Sequence, residues 1–329
     1  ENNLVELVRD LRSQYGYIKG EFKTFALDCG SKEFEVLFSQ NSFDYILNLS
    51  ALKHVRSEKD PYTLMRLVEV NILNTVKSIN LAVEKGVSKY FCVSTDKATN
   101  PVNMMGASKR IMEMFLMDFS DKITISTARF ANVAFSDGSL LFGFKERMEK
   151  KQPLAAPNDI KRYFITKDES GELCLLSTIL GENRDIFFPK LDDNIDLKTF
   201  SSLATSYLKM RGFQAVPCNS EKESRENIEE FIRENQWPCF FSNTDTTGEK
   251  DFEEFYSSNE QLDMDKFRGI GIVKNDQIKD TKELMQFLKY IEDIRQQPVW
   301  TKKEILEAFT YLLPNFSHEE KNHYLDEKM

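Results

Sequence analysis

Short apolar runs alternate with longer amphipathic stretches in the first part of the chain. The runs Phe43–Ser50 and Tyr90–Ser94 are apolar and end in small polar residues, which is typical of buried strands in a parallel sheet. Between them, apolar residues recur at about helical spacing over residues 65–85, and Gly86 stands where a helix commonly stops. The pattern predicts a strand, a helix and a second strand.

The same alternation extends to both sides of this unit. A helix is predicted over residues 107–118 and a strand over 123–130. Upstream, Leu4–Ser13 predicts a helix with an inward apolar face that includes Val5, and Thr24–Asp28 predicts a strand. Alternating strands and helices predict a doubly wound α/β fold, in which ligands bind at the carboxyl ends of the strands. We expect the chain to begin in the middle of this pattern.

Charged residues become more frequent beyond about residue 150. Glu221–Glu234 mixes acidic, basic and amide side chains, which is typical of a solvated helix. Two further helices are predicted over residues 281–295 and 301–313, and Thr301 with Glu304 forms a plausible capping box for the second.

Composition and charge restrict the class of protein. The 329 residues are 41% hydrophobic with a mean hydropathy of -0.46, and no uncharged apolar run reaches the roughly 18 residues of a membrane span. The opening Glu1-Asn2-Asn3 does not resemble a secretory signal. Lys and Arg number 44 against 53 Asp and Glu, a net charge of -9, and such a surface repels nucleic acid. We expect a cytoplasmic globular protein without a membrane span or a nucleic-acid partner.

The charge is unevenly distributed, and the cysteines and histidines form no recognisable site. Residues 1–150 carry 20 basic and 19 acidic groups, so the acidic excess lies in the second half and a phosphorylated ligand fits the first. The five cysteines are widely spaced without a C-x-x-C pair, which indicates a reducing compartment and neither a disulfide framework nor a metal site. His318 and His323 are expected at the surface.

The densest set of reactive groups follows the strand that ends at Ser94. Thr95, Asp96 and Lys97 present a hydroxyl, a carboxyl and an amine on adjacent residues, and Met105–Lys109 begins the next predicted helix. Such a set can bind a sugar hydroxyl, donate a proton and accept one. Small polar residues after a strand are also ordinary turn and N-cap residues, so composition alone leaves both interpretations open.

Several sequence blocks in a fixed order make the stretch 44–162 resemble the extended short-chain dehydrogenase/reductase superfamily. Within it, the chain is most similar to the nucleotide-sugar 4,6-dehydratases of the polysaccharide-biosynthesis (CapD-like) family, such as the UDP-N-acetylglucosamine 4,6-dehydratases. The blocks are L-S-A-L-K-H-V (49–55), V-x-V-N-I (68–72), V-S-T-D-K-A-T-N-P (93–101), M-G-A-S-K-R (105–110), R-F-A-N-V (129–133) and K-R-Y-F-I-T (161–166).

The resemblance implies a reaction in which NAD or NADP oxidises the sugar at C4, water leaves across C5 and C6, and the hydride returns to C6. The C4 ketone acidifies the C5 hydrogen, so a modest base can remove it while an acid protonates the C6 hydroxyl. By position, Asp96 matches the acid and Lys97 the base. Thr95 would bind the C4 oxygen, and Lys109 would hold the nicotinamide ribose.

Two departures from the superfamily pattern affect these expectations. Met105 stands where a tyrosine is usual, and a thioether cannot transfer a proton, so Met105 is interpreted as a marker of one dehydratase branch or as a packing residue. No G-x-G-x-x-G motif occurs, and the first strand, the phosphate-binding turn and the first helix are expected to be missing.

The resemblance also assigns ligand contacts by position. The expected cofactor contacts are Asp28, Cys29, Leu49, Ser50, Ala51, Asn71, Ser94 and Lys109. The expected substrate contacts are Lys53, His54, Met105, Asn132, Ser139 and Arg162, with Asn132 and Arg162 near the diphosphate.

The resulting prediction is a Rossmann-type doubly wound parallel sheet with a smaller C-terminal α+β substrate region. Residues 1–150 would form a partial NAD(P)-binding domain, 151–240 a substrate-binding region and 241–329 a helical extension that covers the sugar site, forms a subunit contact or is a solvated cap. The expected activity is 4,6-dehydration of a UDP-N-acetylhexosamine, with UDP-GlcNAc as the first candidate, and the protein is expected to be a homo-oligomer. Two alternatives stay open: a nucleotide-sugar epimerase and a non-catalytic nucleotide-sugar-binding protein.

Overall fold

The computed structural model describes residues 1–17, 22–191, 197–226, 228–244, 253–276 and 281–318. The chain divides into two compact units, residues 1–43 and 44–329. The helices are α1 Asn2–Tyr15, α2 Lys32–Ser39, α3 Pro61–Val68, α4 Asn74–Glu84, α5 Met104–Phe119, α6 Leu140–Glu149, α7 Lys167–Leu180, α8 Phe200–Met210, α9 Glu221–Arg225, α10 Ile228–Arg233, α11 Lys282–Gln296 and α12 Lys302–Leu312. The strands are β1 Tyr45–Asn48, β2 Lys89–Thr95, β3 Thr124–Phe130, β4 Asn132–Val133, β5 Leu154–Pro157, β6 Lys161–Arg162, β7 Phe164–Ile165, β8 Asp185–Pro189, β9 Lys198–Thr199, β10 Gln214–Cys218, β11 Gln236–Ser242, β12 Gln261–Asp263 and β13 Ile270–Lys274.

The first unit consists of α1, α2 and the segments beside them. Ser31 caps α2 by accepting a hydrogen bond from the backbone N–H of Phe34, and Phe38 is its buried residue. The predicted first helix is confirmed, and of its expected inward face Leu4, Val8 and Leu11 are half-buried, whereas Val5 is 41% exposed and α1 fully buries none of its residues. Residues 24–28 are not a strand, because no described strand pairs with them.

A six-stranded sheet in the order β1-β2-β3-β8-β13-β12 organises the second unit. The first four strands run parallel, while β13 and β12 are added antiparallel at one edge. This arrangement confirms the predicted α/β class with a parallel sheet. The second half of the chain also contributes to this sheet, since β8, β12 and β13 lie within the segments expected to form the substrate region and the helical extension.

Helices cover both faces of the sheet. Along β2, Phe91 packs in an apolar cluster with Leu173 of α7, whereas the sulfur of neighbouring Cys92 lies 3.3 Å from that of Met112 on α5. Since successive strand residues point to opposite faces, α7 lies on one side and α5 on the other. This is the two-sided covering that a buried parallel sheet requires.

The helical pair α11 and α12 forms a further layer on the α5 side. Phe287 of α11 and Phe309 of α12 are buried in one cluster with Leu64 of α3 and Ile111 of α5. The predicted capping box at the start of α12 is present, because the hydroxyl of Thr301 accepts the N–H of Glu304 and the carboxylate of Glu304 accepts the N–H of Thr301. The C-terminal helices are therefore part of the core.

Three local features differ from the sequence-based expectations. The helix expected over residues 65–85 is interrupted by a π-helical turn at Glu69–Leu73, which separates α3 from α4. Glu221–Glu234 forms two short helices, because Glu226 adopts an extended conformation between them. The side chain of His318 is only 4% exposed and its Nε2 lies 3.2 Å from Oε2 of Glu58, so its expected surface position is wrong, while His323 lies outside the described residues.

A three-stranded parallel sheet, β10-β11-β5, stands beside the large one. Its core brings together Phe144 of α6, Leu208 of α8 and Trp237 of β11. The indole N–H of Trp237 donates a hydrogen bond to the carbonyl of Gln152 at 2.9 Å. Among the described residues, no helix has the length and apolar composition to cross a membrane.

Candidate functional site

A cleft of about 1080 Å³ opens within the second unit, at the carboxyl ends of β1, β2 and β3. It is lined by the loop after β1, the turn after β2, the first turns of α5 and the segment from Phe130 to Arg147. Residues of β5, β11, α7 and α8 complete its walls. This is the edge at which an open parallel sheet places its ligands, as the alternating pattern predicted.

The adjacent residues Thr95, Asp96 and Lys97 are in mutual contact at this cleft. Thr95 and Lys97 line it, while Asp96 is 2% exposed and lies behind them. Oδ1 of Asp96 accepts hydrogen bonds from the Thr95 hydroxyl at 2.8 Å and from Nζ of Lys97 at 3.0 Å. The three groups therefore form one hydrogen-bonded set, and the residues Thr95 and Lys97 of this set line the cleft.

The first turn of helix α5 packs against the segment that follows β2. Asn103 caps the helix by accepting the N–H of Gly106 at 2.7 Å. A Cβ at Gly106 would lie 2.3 Å from the carbonyl oxygen of Lys97, so helix and turn approach more closely than any side chain permits. Glycine at this position therefore fixes where Lys97 lies.

Met105 and Lys109 occupy one face of α5, one helical turn apart, and both line the cleft. Lys109 is buried and its Nζ donates to the carbonyl of Val93 at 3.0 Å. Burial lowers the pKa of this amine, against the opposing influence of Cys92 and Glu113. Nζ also donates to the sulfur of Met112 at 3.5 Å, so one of the three hydrogens of an ammonium group remains to bind a hydroxyl of a ligand.

A buried ionic network lies behind Ser94, which lines the cleft. The Ser94 hydroxyl donates to Glu113 at 2.6 Å, and Glu113 accepts from the guanidinium of Arg129 at 2.8 and 3.0 Å. Glu260 makes a second bidentate pair with Arg129 at 2.8 and 2.9 Å, and Arg110 approaches both glutamates from outside. The carboxylates raise the pKa of Arg129, and its charge lowers the pKa of Glu113. Sequence reasoning missed both glutamates.

The loop after β1 carries several of the expected contacts. Leu49 and Ala51 line the cleft, whereas Ser50 is outside the lining and its hydroxyl donates to the side chain of Asn48. Asn71 is fully buried in the π-helical turn and does not line the cleft. Its side-chain oxygen accepts the N–H of Leu52, and its NH₂ group donates to the carbonyl of Leu52 and to the hydroxyl of Ser108. Asn71 therefore connects the loop after β1 to α5.

Lys53 and His54 lie on the same loop and line the cleft. Nζ of Lys53 donates to the hydroxyl of Ser136 at 3.2 Å. Gly138 has a φ of +71°, and a Cβ there would lie 2.8 Å from Nε2 of His54. The loop that carries His54 can therefore lie this close to residue 138 only because that residue is glycine. Ser139, the next residue, lines the cleft and caps α6 by accepting the N–H of Phe142 at 3.2 Å.

The two residues expected beside a diphosphate contact a carboxylate of the chain itself. Asn132 lines the cleft, and its amide donates to Oε1 of Glu253 at 2.6 Å. Arg162 is buried outside the lining with Nε 3.8 Å from the same oxygen. The backbone N–H of Tyr163 donates to it at 3.2 Å. Burial raises the pKa of Glu253, although Arg162 opposes this shift.

Asp28 and Cys29 belong to the first unit, which is described by itself. Oδ1 of Asp28 accepts the N–H of Gly30 at 2.8 Å, and Cys29 is half-buried in the turn before α2. Their expected contact with a cofactor stays a prediction.

Comparison with known families and proteins relates the chain to polysaccharide biosynthesis proteins and to enzymes of nucleotide sugars. A family model described as polysaccharide biosynthesis protein matches residues 1–275. The chain is 34% identical over 194 residues to the capsular polysaccharide biosynthesis protein CapD of Staphylococcus aureus, which covers 57% of this chain and 32% of CapD. It is 28% identical to an inverting UDP-N-acetylglucosamine 4,6-dehydratase of Campylobacter jejuni, over 45% of this chain and 46% of that protein.

An epimerase also appears among these relatives. The chain is 30% identical to a UDP-glucose 4-epimerase of Rickettsia bellii, over 45% of this chain and 44% of the epimerase. The chain thus spans about a third to just under half of these three relatives.

Solved structures support the fold. Pen from Bacillus thuringiensis superposes with a TM-score of 0.65 at 18% identity, covering 87% of this chain and 86% of Pen. The dTDP-glucose 4,6-dehydratase DesIV of Streptomyces venezuelae, solved with NAD, superposes with a TM-score of 0.56 at 14% identity, covering 73% and 72% of the two chains. At such identities the likeness shows a shared fold.

Proposed function

Because the chain belongs to the polysaccharide biosynthesis protein family, whose members include nucleotide-sugar dehydratases and epimerases of the extended short-chain dehydrogenase/reductase superfamily, we propose that it is a 4,6-dehydratase. The proposed substrate is a UDP-N-acetylhexosamine, UDP-GlcNAc in the first instance, and the product is a 4-keto-6-deoxy sugar nucleotide for glycan synthesis. The single observation that carries this proposal is the contact between Thr95, Asp96 and Lys97 at the cleft.

The donor groups of the cleft fit a nicotinamide nucleotide at its ribose end. Lys109 and Ser94 line the cleft beside the Thr95 turn, and the remaining hydrogen of the Lys109 ammonium group suits a ribose hydroxyl. When bound, NAD or NADP takes up a hydride from C4 of the sugar and returns it to C6. Lys109 would hold the ribose and place a positive charge beside the oxygen at C4.

The proton transfers can be assigned to the Asp96–Lys97 pair. The proposed reaction requires the proton on Asp96 and a neutral amine on Lys97 when the substrate is bound, and Nζ and Oδ1 lie 3.0 Å apart, within reach for that proton to move between them. The amine of Lys97 then removes the C5 proton, and the carboxyl of Asp96 protonates the departing C6 hydroxyl as water. Both groups end as an ion pair, which is the state from which the cycle started.

Thr95 completes the set by positioning the sugar. Thr95 lines the cleft, and its hydroxyl, which donates to Asp96 in the free protein, would rotate to the C4 oxygen of a bound hexose. Met105 beside it supplies an apolar wall and no proton, since a thioether has no exchangeable hydrogen. In the proposed reaction, proton transfer at C5 and C6 therefore depends on the Asp96–Lys97 pair.

The test is incubation of the full-length protein with UDP-GlcNAc and either NAD⁺ or NADP⁺, with the product followed by NMR. We expect a 4-keto-6-deoxy product, and the variants Asp96→Asn and Lys97→Met should each lose about 10²- to 10⁴-fold in rate. Lys145→Met is the matched control, because Lys145 is exposed on α6 outside the cleft and should leave the rate unchanged. Full activity in both variants would refute the proposal.

The epimerase relative supports a second candidate, 4-epimerisation of the same substrate class. The two reactions differ at C6, because an epimerase retains the C6 hydroxyl and has no use for an acid there. A product with C6 still hydroxylated and C4 inverted would select the epimerase. UDP-sugar binding without any product or cofactor binding would select a non-catalytic binding protein.

A further inference from the structure

The amide of Asn132 is held in one orientation by the chain itself. Asn132 lines the cleft, and its Nδ2 donates to Oε1 of Glu253 at 2.6 Å and to the carbonyl of Tyr163 at 3.4 Å. An amide nitrogen carries two hydrogens and accepts none, so both hydrogens of Asn132 already have acceptors within the protein. No hydrogen of this side chain remains for a phosphate oxygen.

The carboxyl oxygen that orients the amide cannot change its role. Oε1 of Glu253 also accepts the backbone N–H of Tyr163 at 3.2 Å, and Nε of Arg162 lies 3.8 Å from it. A backbone N–H can only donate, so Oε1 stays an acceptor whether or not the other oxygen of the carboxyl carries a proton. The nitrogen of Asn132 therefore faces Glu253, and its oxygen faces away.

The oxygen of the Asn132 amide is the polar group that this residue offers to a ligand. Within the described part of the chain Oδ1 has no hydrogen-bond partner, and it is not one of the buried side-chain atoms without a partner, so it keeps accessible surface. An amide oxygen accepts hydrogen bonds through two lone pairs. It suits a hydroxyl or an N–H group, and its partial negative charge repels the oxygens of a phosphate.

The sheet register places Asn132 near the residue to which the proposed reaction assigns the sugar. Thr95 of β2 is the register partner of Phe130 on β3, and Asn132 follows Phe130 by two residues. Neighbouring strands lie about 4.8 Å apart, and two residues span at most about 7 Å. A hexose whose C4 oxygen contacts Thr95 therefore has ring substituents within reach of Asn132. Its hydroxyls and an acetamido group are hydrogen-bond donors.

We propose that Glu253 orients Asn132 so that the amide oxygen accepts a hydrogen bond from the hexose, through a hydroxyl or the acetamido N–H. The identity of the sugar rests on the function proposed above, whereas the orientation of the amide rests on contacts within the protein. Glu253 is then a positioning residue, which acts on the ligand through Asn132. This role differs from the expected contact of Asn132 with the diphosphate.

Titration of the full chain with UDP-GlcNAc and with UDP, without a nicotinamide cofactor and without turnover, tests the contact. Asn132→Leu should weaken UDP-GlcNAc binding about threefold to tenfold, as for loss of one neutral hydrogen bond, and leave UDP binding unchanged. Asn80→Leu is the matched control, because Asn80 is exposed on α4 outside the cleft and both affinities should stay unchanged.

UDP-glucose, which carries a hydroxyl in place of the acetamido group, distinguishes the two possible donors. A loss in Asn132→Leu that is confined to UDP-GlcNAc selects the acetamido N–H. An equal loss for UDP-GlcNAc and UDP-glucose selects a ring hydroxyl.

Two variants of Glu253 test the positioning role. Glu253→Gln keeps an oxygen that can accept from Tyr163 and Asn132, so its affinity for UDP-GlcNAc should stay within about twofold of the wild type. Glu253→Leu removes that acceptor and lets the amide turn, so it should weaken UDP-GlcNAc about as much as Asn132→Leu and leave UDP unchanged. The double variant with Asn132→Leu should bind no more weakly than Asn132→Leu alone, because both changes remove the same contact.

Three outcomes would overturn the proposal: an equal loss of UDP and UDP-GlcNAc binding in Asn132→Leu, no loss of UDP-GlcNAc binding in that variant, or equal losses in Glu253→Gln and Glu253→Leu. If Asn132→Leu does not fold, the comparison of the two Glu253 variants decides. UDP-GlcNAc binding that depends on Asn132 without any 4-keto product would support the contact and refute the dehydratase. A 4-keto product from a protein whose affinity for UDP-GlcNAc does not depend on Asn132 would do the opposite.

Discussion

Gly106→Ala is the substitution whose effect on the candidate site can be worked out most directly from the structure. The added Cβ would lie 2.3 Å from the carbonyl oxygen of Lys97 and 3.1 Å from its carbonyl carbon. Because real Cβ atoms essentially never approach another atom within 3.0 Å, the α5 helix and the turn must separate by about 0.7 Å. The obstacle is backbone, so rotation of a side chain cannot relieve it.

Two measurable consequences follow from this displacement. Overpacking costs about 1–3 kcal/mol, and the better helix propensity of alanine returns up to about 1 kcal/mol, so we expect a net loss in the free energy of unfolding of about 1–2 kcal/mol. The displacement also moves Lys97 away from its position beside Asp96. A misplacement near 1 Å can cost about 10²-fold in rate, which we expect in kcat for the proposed dehydration.

The assay combines urea unfolding with the kinetics of 4-keto product formation. Gly171→Ala is the matched control, since Gly171 lies within α7 and a Cβ there meets nothing within 4 Å. We expect that variant to be stabilised by up to about 1 kcal/mol and to keep full activity. If Gly106→Ala is as stable and as active as Gly171→Ala, the close approach of α5 to Lys97 does not govern the site.

The remaining predictions concern the buried charges. Arg129→Met should lower the free energy of unfolding by about 3–5 kcal/mol in urea titration, because Glu113 is left buried without its bidentate partner. Arg110→Gln, at the partly exposed edge of the same network, should cost less than about 1 kcal/mol. Equal losses in the two variants would contradict the stabilising role assigned to the buried ion pair. The raised pKa of Glu253 means that its contribution to stability is complete below its unfolded pKa and is lost as the pH rises through its folded pKa. Glu253→Gln should therefore gain stability relative to the wild type in thermal unfolding as the pH rises above the ordinary glutamate pKa of 4.5, and a difference that stays constant as the pH rises would exclude the effect.

Local sequence signals were sufficient for the elements that build the cleft. The apolar run before Ser94 predicted β2, and the adjacent hydroxyl, carboxyl and amine predicted the cluster that the structure brings into contact. Here the reacting groups are consecutive in sequence, so a correct strand assignment was enough to place them together. Gly86 likewise ends its helix with a φ of +67°, as the pattern predicted.

The contacts that sequence reasoning missed join residues far apart in the chain. Glu253 and Glu260 lie in an acidic tract that is typical of a solvated surface, yet they meet Asn132 and Arg129 from more than 120 positions away. Glu113 was missed for a related reason, since a glutamate within a helix gives no signal that its face is buried. Only the tertiary fold reveals which surface acids become partners of buried cations.

The expected strand over residues 24–28 shows the opposite error. Its apolar alternation satisfied the pattern for a strand, but a strand also needs a hydrogen-bonded neighbour, and none of the described strands pairs with it. The periodicity of a single sequence shows how side chains alternate, but it does not show whether a neighbouring strand is present to pair with the segment.

The late strands β13 and β12 have a consequence for synthesis on the ribosome. Ile272 and Val273 of β13 cover β8, whose Phe187 and Phe188 are almost completely buried in the finished sheet. Until residue 274 has left the exit tunnel, that aromatic edge has no cover and is open to pairing with other nascent chains. A chain that ends after β8 and before β13 would therefore expose this strand and be prone to aggregate.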